Sequence, residues 1–309
     1  MRILLKLITS KKAIMATSTL VATLLLSACV TTQQDQNEKD KSSNITHETS
    51  SFSPRVENQY LSQEQAVKRS KRVSNVSYKL NFSLTGGESF SASSTISFDL
   101  SDNNSPLTID LNAAQVTSLI INDEAMAAED LEKSYNSWFI TLPAKKLKQG
   151  TNKVAVSFTR KHSTNGEGLH RFKDPVDGEV YLYSHFEPAA AQQMFALFDQ
   201  PDLKATFELT VSAPKSWTVF SATKENKTTQ QGDFTLWHFP KSLTLSPYNF
   251  SMHAGPYKMW QDNSGKYPLR LFARQSVAKQ ITPKHWFTYT KQGFEFFDDY
   301  FGINYPFQK

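Results

Sequence analysis

The stretch Tyr78-Lys79-Leu80-Asn81-Phe82-Ser83-Leu84 decides the fold class. Large apolar residues hold every second position, with polar residues between them. Successive side chains of a strand point to opposite faces, so this pattern predicts a strand with one face on a core and one in water. The same period runs through Ile96, Phe98 and Leu100, then Leu107, Ile109 and Leu111. It returns in Val154, Val156 and Phe158 and again in Phe207, Leu209 and Val211. Each run is short and gives way to Gly, Asn, Asp or Pro. Gly86-Gly87 and Asp102-Asn103-Asn104 are expected hairpin turns. Many short strands at this spacing predict a mainly β fold, an antiparallel β-sandwich or curved sheet rather than a doubly wound one.

The pattern differs at both ends of this β region. Tyr60 to Arg72 is a short, charged lead-in with helical character. Near the other end, Tyr267 to Phe272 is the last expected strand. Thr282-Pro283 then offers an N-cap followed by proline at the first helical position. Trp286, Phe287, Tyr289, Phe294, Phe297, Tyr300 and Phe301 recur on a helical period. Gly302 fits the residue just past the helix, and Pro306 prevents continuation. An aromatic stripe at this spacing is read as core, and its apolar face needs a partner.

The first 28 residues read as a targeting leader. Arg2, Lys6, Lys11 and Lys12 form a basic start, and Ala13 to Leu26 an apolar run short for a membrane span. Leu26-Ser27-Ala28-Cys29 then resembles a bacterial lipobox, with Cys29 as the thiol that takes the lipid. Cys29 is the only cysteine, so disulfides and thiolate metal sites are excluded. A Cys29 carrying more than one acyl chain would be stably anchored. Val30 after it favours outer-membrane sorting by resemblance, which predicts a cell-envelope location facing the periplasm. Residues 29–58 are polar and nearly free of large apolar groups, and are expected to be a flexible tether. The formal charge of +5 includes the four basic leader residues, which have no acidic counterpart there. The remainder is nearly neutral, so nucleic acid is not an expected partner.

Several blocks resemble, in order, the M1 or aminopeptidase N family of zinc aminopeptidases. Gly168-Leu169-His170-Arg171-Phe172 and Asp177-Gly178 lead into Tyr181-Leu182-Tyr183-Ser184-His185-Phe186-Glu187-Pro188. Phe198-Asp199-Gln200-Pro201-Asp202-Leu203-Lys204-Ala205-Thr206-Phe207 resembles the block FDEPxxKATF. Tyr248 to Tyr257 and Phe294 to Lys309 resemble two further blocks. The resemblance implies a saddle-like antiparallel β-domain over residues 59–258. It implies that residues 259–309 are the helical, incomplete start of a thermolysin-like catalytic domain.

It also implies a role for two side chains. The glutamate matching Glu187 helps bind the free α-amino group of a peptide, an ammonium that carboxylates in a cleft recognise well. His185 stands where the family usually has Gln, lining the pocket for the first substrate side chain. Gln200 replaces the usual Glu of its block, and Asp199, Pro201 and Lys204 are read as turn and packing residues. Family chemistry needs the segments GxMEN and HExxH and a later glutamate, two histidines and a carboxylate holding zinc. None of these segments occurs in the 309 residues. His47-Glu48 is no half-motif, because Ser51 stands where the second histidine should be. The pairs His162/His170 and His238/His253 lack ligand spacing, and Tyr289 stands four residues after His285. The expectation is therefore no catalytic residue, no metal ligand and no bound cofactor in this chain, with zinc belonging to the complete family enzyme. Alone it is expected to hydrolyse nothing. The alternative is a non-enzymatic lipoprotein of the envelope that binds peptides or a protein.

Overall fold

A computed structural model describes Arg55 and residues 60–307. The expected leader, Cys29 and all of the expected tether except Arg55 lie outside the described residues. Sixteen strands and three α-helices are described. In chain order they begin with α1 (Gln63–Arg72), β1 (Val73–Ser83), β2 (Ser89–Leu100), β3 (Leu107–Asp110), β4 (Gln115–Ile121) and β5 (Glu124–Ala125). Next come α2 (Ala128–Ser134), β6 (Phe139–Leu142), β7 (Gly150–Lys161), β8 (Gly168–Lys173), β9 (Val180–His185) and β10 (Ala205–Pro214). The last are β11 (Thr218–Ser221), β12 (Lys227–Gln231), β13 (Phe234–Phe239), β14 (Met252–Gly255), β15 (Lys258–Asp262), β16 (Leu269–Ala273) and α3 (Pro283–Phe301).

The fold is mainly β, built of several sheets. An eight-stranded sheet has the order β12-β13-β10-β1-β2-β7-β4-β5, and a four-stranded sheet the order β11-β14-β9-β8. Two pairs, β3–β6 and β15–β16, stand apart from them. Nearly all neighbours are antiparallel, with one exception at the centre of the large sheet. There β1 runs parallel to β10, with Tyr78 beside Phe207 and Phe82 beside Val211. Parallel strands cannot be joined by a hairpin, and here the chain builds β2, β4, β5 and β7 of the large sheet and β8 and β9 of the small one before returning.

The period-two runs bury the residues that the pattern selected. Tyr78, Leu80, Phe82, Ile96, Phe98, Val154, Val156, Phe158, Phe207, Leu209 and Val211 all lie in one core. Gly86 turns β1 into β2 at φ 81°, a left-handed conformation that favours glycine. Asp102-Asn103-Asn104 is not a hairpin turn. It carries the chain from β2 to β3, which pairs with β6 in another sheet. The α1 helix begins with a reciprocal cap: the Gln65 N–H donates to Ser62 Oγ, and the Ser62 N–H to Gln65 Oε1.

Asp110 corrects the simple alternation of β3. Between Ile109 and Leu111 it should face water, yet it is 1% exposed. Its backbone pairs both ways with Leu197 at the edge of the strand. Arg69 Nη1 reaches its carboxylate at 2.7 Å, Arg55 also pairs with it, and the Asp199 N–H donates to it at 2.8 Å. Burial works against the Asp110 charge, but the Arg69 and Arg55 guanidiniums outweigh it and hold the carboxyl below its usual range. Gln200 completes the cluster, accepting from Arg69 Nε at 2.9 Å and donating to the Ala66 carbonyl at 3.0 Å. The packed part of the chain therefore reaches back to Arg55.

At the end of the chain β16 and α3 form where expected. Thr282 occupies the N-cap position, but its side chain makes no capping hydrogen bond. Gly302 closes the helix at φ 64°. The inner side of α3 packs Phe294 onto Tyr267 at 4.8 Å, and Lys291 pairs with Asp262 at 2.9 Å. Trp286, Tyr289, Phe296, Phe297, Tyr300 and Phe301 are exposed.

Two substitutions test this packing by denaturant unfolding. Asp110→Ala strands two buried guanidiniums and is expected to lose about 3–5 kcal/mol. Asp233→Ala, which removes a carboxylate from an exposed pair with Lys215, is expected to stay within about 0.5 kcal/mol. Gly168 sits at φ 64°, where an added Cβ would lie 2.6 Å from the Gln193 Cβ. Gly150 has a similar φ and nothing within 4 Å. Gly168→Ala should therefore cost about 1–3 kcal/mol more than Gly150→Ala. Equal costs would show that Gly168 is needed for its backbone alone.

Candidate functional site

The four-stranded sheet positions the two candidate recognition residues. Strand β9 lies inside it, pairing with β8 in the register Gly168–His185 and Arg171–Leu182. On its other side β14 pairs His253 with Tyr183 and Ala254 with Leu182. His185 is the last residue of the strand, and Phe186 follows it into the core at 2% exposure. The Phe186 ring stacks on Phe250 at 6.4 Å and meets Phe195 edge-on at 6.1 Å. Those rings continue to Phe207 and from there to Tyr78 in β1.

Burying Phe186 turns its two neighbours outward. His185 and Glu187 are both exposed, one on each side of the anchored ring. Glu187 makes no ion pair or side-chain hydrogen bond among the described residues. The Glu187-Pro188 peptide bond is cis. Beyond it a short turn over Ala191–Gln193 folds back against Gly168 and the Asp199 carboxylate, which accepts the Gln192 N–H at 3.0 Å. The site thus has a rigid aromatic floor and a carboxylate free to accept N–H donors from outside.

The start of β9 is tied to the C-terminal elements. The Tyr181 hydroxyl accepts the Gln275 N–H at 3.0 Å and donates to Asp177 at 2.9 Å. Asp177 also accepts the Ser276 N–H at 3.0 Å. Asp174, 1% exposed, accepts from the Ser276 hydroxyl and pairs with Arg274. Ser276 first, then the backbone and Arg274, hold the Asp174 carboxyl below its usual range. Burial pushes the Tyr181 phenol up to about 12, so it stays a neutral donor. Asp174, Asp177 and Tyr181 thus grip the chain just after β16. Only Asp177 and Tyr181 fell within stretches singled out by sequence. Asp174 had one signal, an Asp-Pro turn dipeptide at the tip of the β8–β9 hairpin.

The histidines have structural surroundings. Burial drives His162 down to about 4, and its ring lies 5.0 Å from Phe90. His170 Nδ1 accepts the Gly166 N–H at 2.9 Å while its ring faces Tyr183. His238 Nδ1 lies 3.3 Å from the Thr210 hydroxyl. Among the described residues no group of three or more His, Cys, Asp or Glu could hold a metal ion. Among the described residues no helix is long and apolar enough to cross a membrane.

Comparison with known proteins agrees with this arrangement. The profile of the Peptidase M1 N-terminal domain matches residues 74–248, from β1 through β14's approach. Aminopeptidase N of Streptomyces lividans is 35% identical over 256 residues, covering 81% of this chain and 29% of that protein. Aminopeptidase N of Acetobacter pasteurianus is 25% identical over 248 residues, covering 76% of this chain and 67% of that protein. Glutamyl aminopeptidase of Rattus norvegicus is 32% identical over 147 residues, 46% of this chain and 15% of that protein. The chain thus spans less than a third of the Streptomyces relative's length. With the domain match covering more than half of its residues, the chain belongs to the M1 peptidase family.

Proposed function

We propose that this chain is the N-terminal part of a lipid-anchored M1 zinc aminopeptidase, and that it recognises the free amino terminus of a peptide substrate. The observation that carries the reading is the Glu187 carboxylate. It is exposed beside a buried aromatic anchor and unpaired among the described residues. A carboxylate held this way can accept charge-assisted hydrogen bonds from an ammonium. His185, one residue before the anchor, contacts the first side chain of the peptide. In this reading residues 59–258 form the recognition domain and residues 259–309 open the catalytic domain. The exposed aromatic face of α3 supports that boundary, because a wide apolar stripe on an amphipathic helix is the pattern of a face that packs against another element. Zinc, held elsewhere in the family enzyme, supplies Lewis acidity and an activated water. The residues of this chain contribute binding and orientation, and by themselves catalyse no hydrolysis. Cys29 carries the lipid, and residues 29–58 lead from the outer membrane towards the folded part in the periplasm.

Binding of a short peptide with a free amino terminus should be lost when that terminus is acetylated, and lost again in Glu187→Ala. Equal binding of free and acetylated peptides would overturn the role of Glu187. Zinc-supplemented cleavage of aminoacyl arylamides by the chain, sensitive to chelator, would overturn its assignment to recognition alone. For the anchor, a radiolabelled fatty acid should be incorporated into the native chain and not into Cys29→Ser. Equal labelling of both would exclude Cys29 as the lipid site.

A further inference from the structure

Asp199 is a buried carboxyl without a counter-ion. It is 8% exposed and forms no ion pair among the described residues. One oxygen accepts the Gln192 N–H at 3.0 Å, holding the turn that follows Glu187. Its own N–H is committed to Asp110 at 2.8 Å, and the preceding Phe198 N–H to the Tyr78 hydroxyl at 3.0 Å. Asp199 therefore bridges the core and the segment that carries Glu187. The charged groups that face it are Asp110 on β3, Arg69 on α1 and Arg55 before α1, with the Tyr78 hydroxyl on β1. Both guanidiniums bond Asp110, so Asp199 faces that carboxylate directly, and Arg69 beyond it and the Gln192 and Ala191 N–H groups offset only part of the burial and repulsion.

We propose that the Asp199 carboxyl is a pH-sensitive brace on the segment Glu187–Gln193, holding it closed when uncharged and releasing it when ionised. The regulatory meaning rests on the reading of Glu187 as the amine-binding residue; the brace itself does not. Burial and the neighbouring Asp110 charge raise the Asp199 carboxyl to about 7. Its partners do not compete in that range. Asp110 is held low, and burial drives the Tyr78 phenol upward. The sign follows from linkage. The closed state binds the proton more tightly than an opened, solvated Asp199, whose ordinary value is 3.8. Closure is therefore fully stabilised at pH below that ordinary value. The stabilisation is lost as pH rises to about 7, and changes no further above it.

Amide hydrogen exchange of the intact chain at Ala191, Gln192 and Gln193 tests this. After division by the intrinsic rate, the opening constant should rise about tenfold per pH unit between about pH 5 and 7 and then level off. In Asp199→Asn the slope should vanish. A flat profile in the native chain, or an unchanged slope in the variant, overturns the proposal. Should that variant not fold, infrared spectroscopy of the native chain decides. A protonated carboxyl band should remain at about pH 6 and be gone at about pH 8, and its absence at the lower pH overturns the brace. Neither readout uses a peptide, so failure of the Glu187 reading in peptide binding would leave the brace result standing.

Discussion

The carboxylate of Asp110 is the point at which separate parts of the chain become one structure. It is buried, and a buried charge is tolerated only when paired and hydrogen-bonded. Its partners come from three other stretches: Arg55 ahead of α1, Arg69 within α1, and the Asp199 backbone after the recognition segment. Loss of Asp110 would strand both guanidiniums in the interior, and loss of any one partner would leave a buried hydrogen bond unmade. The same place joins the sheets to the candidate site. Leu197 pairs with Asp110, Phe198 packs edge-on against Phe98 at 5.2 Å, and Gln200 links back to α1. The net stability such a cluster adds is small, because the cost of removing its charges from water offsets much of their attraction.

From this anchor the site is positioned by hydrophobic burial. Phe186 enters an aromatic chain that passes through Phe250 and Phe207 to Tyr78. Its direction is settled by packing, and alternation then turns His185 and Glu187 outward. Polar residues at the solvent end of a strand are common. What distinguishes Glu187 is that the residue beside it cannot move without opening the core, so the carboxylate's starting point is well defined. Preorganisation of that kind lowers the ordering cost of binding.

The long strands of this fold were legible because they bury one face and leave the other nearer to water, and period two records that directly. Tyr78 to Leu84, Ile96 to Leu100 and Val154 to Phe158 are examples. The pairing of strands was less legible. Nothing local to β1 indicates that its neighbour is β10, because that contact is made across more than a hundred residues and depends on the core. Asp102-Asn103-Asn104 has hairpin chemistry, but chain reversal does not determine which strand is joined next. Asp110 is hidden for a related reason: alternation names the two faces of β3 and cannot say that both are buried. Glu187 and His185 were found through the resemblance of their block, whereas Asp174 and the grip on Arg274 and Ser276 became visible only in three dimensions.

That grip bears on how recognition is joined to chemistry in the proposed enzyme. Strand β9 has Tyr181 near its beginning and His185 at its end. At the first, hydrogen bonds hold the chain that leads into α3; at the second, the strand presents the recognition residues. The contacts at the first end satisfy buried polar groups: Asp174 and the Tyr181 hydroxyl have lost water and regained donors from residues 274–276. Breaking them would take from those groups donors that replaced water, so the C-terminal elements are coupled to β9 more firmly than exposed ion pairs would allow. A substrate held at Glu187 is then referenced, through one short strand, to the elements that open the catalytic domain in this reading. Orientation between a bound amine and a distant reacting bond needs this kind of rigid connection, because small misplacements of the reacting atoms sharply reduce rate.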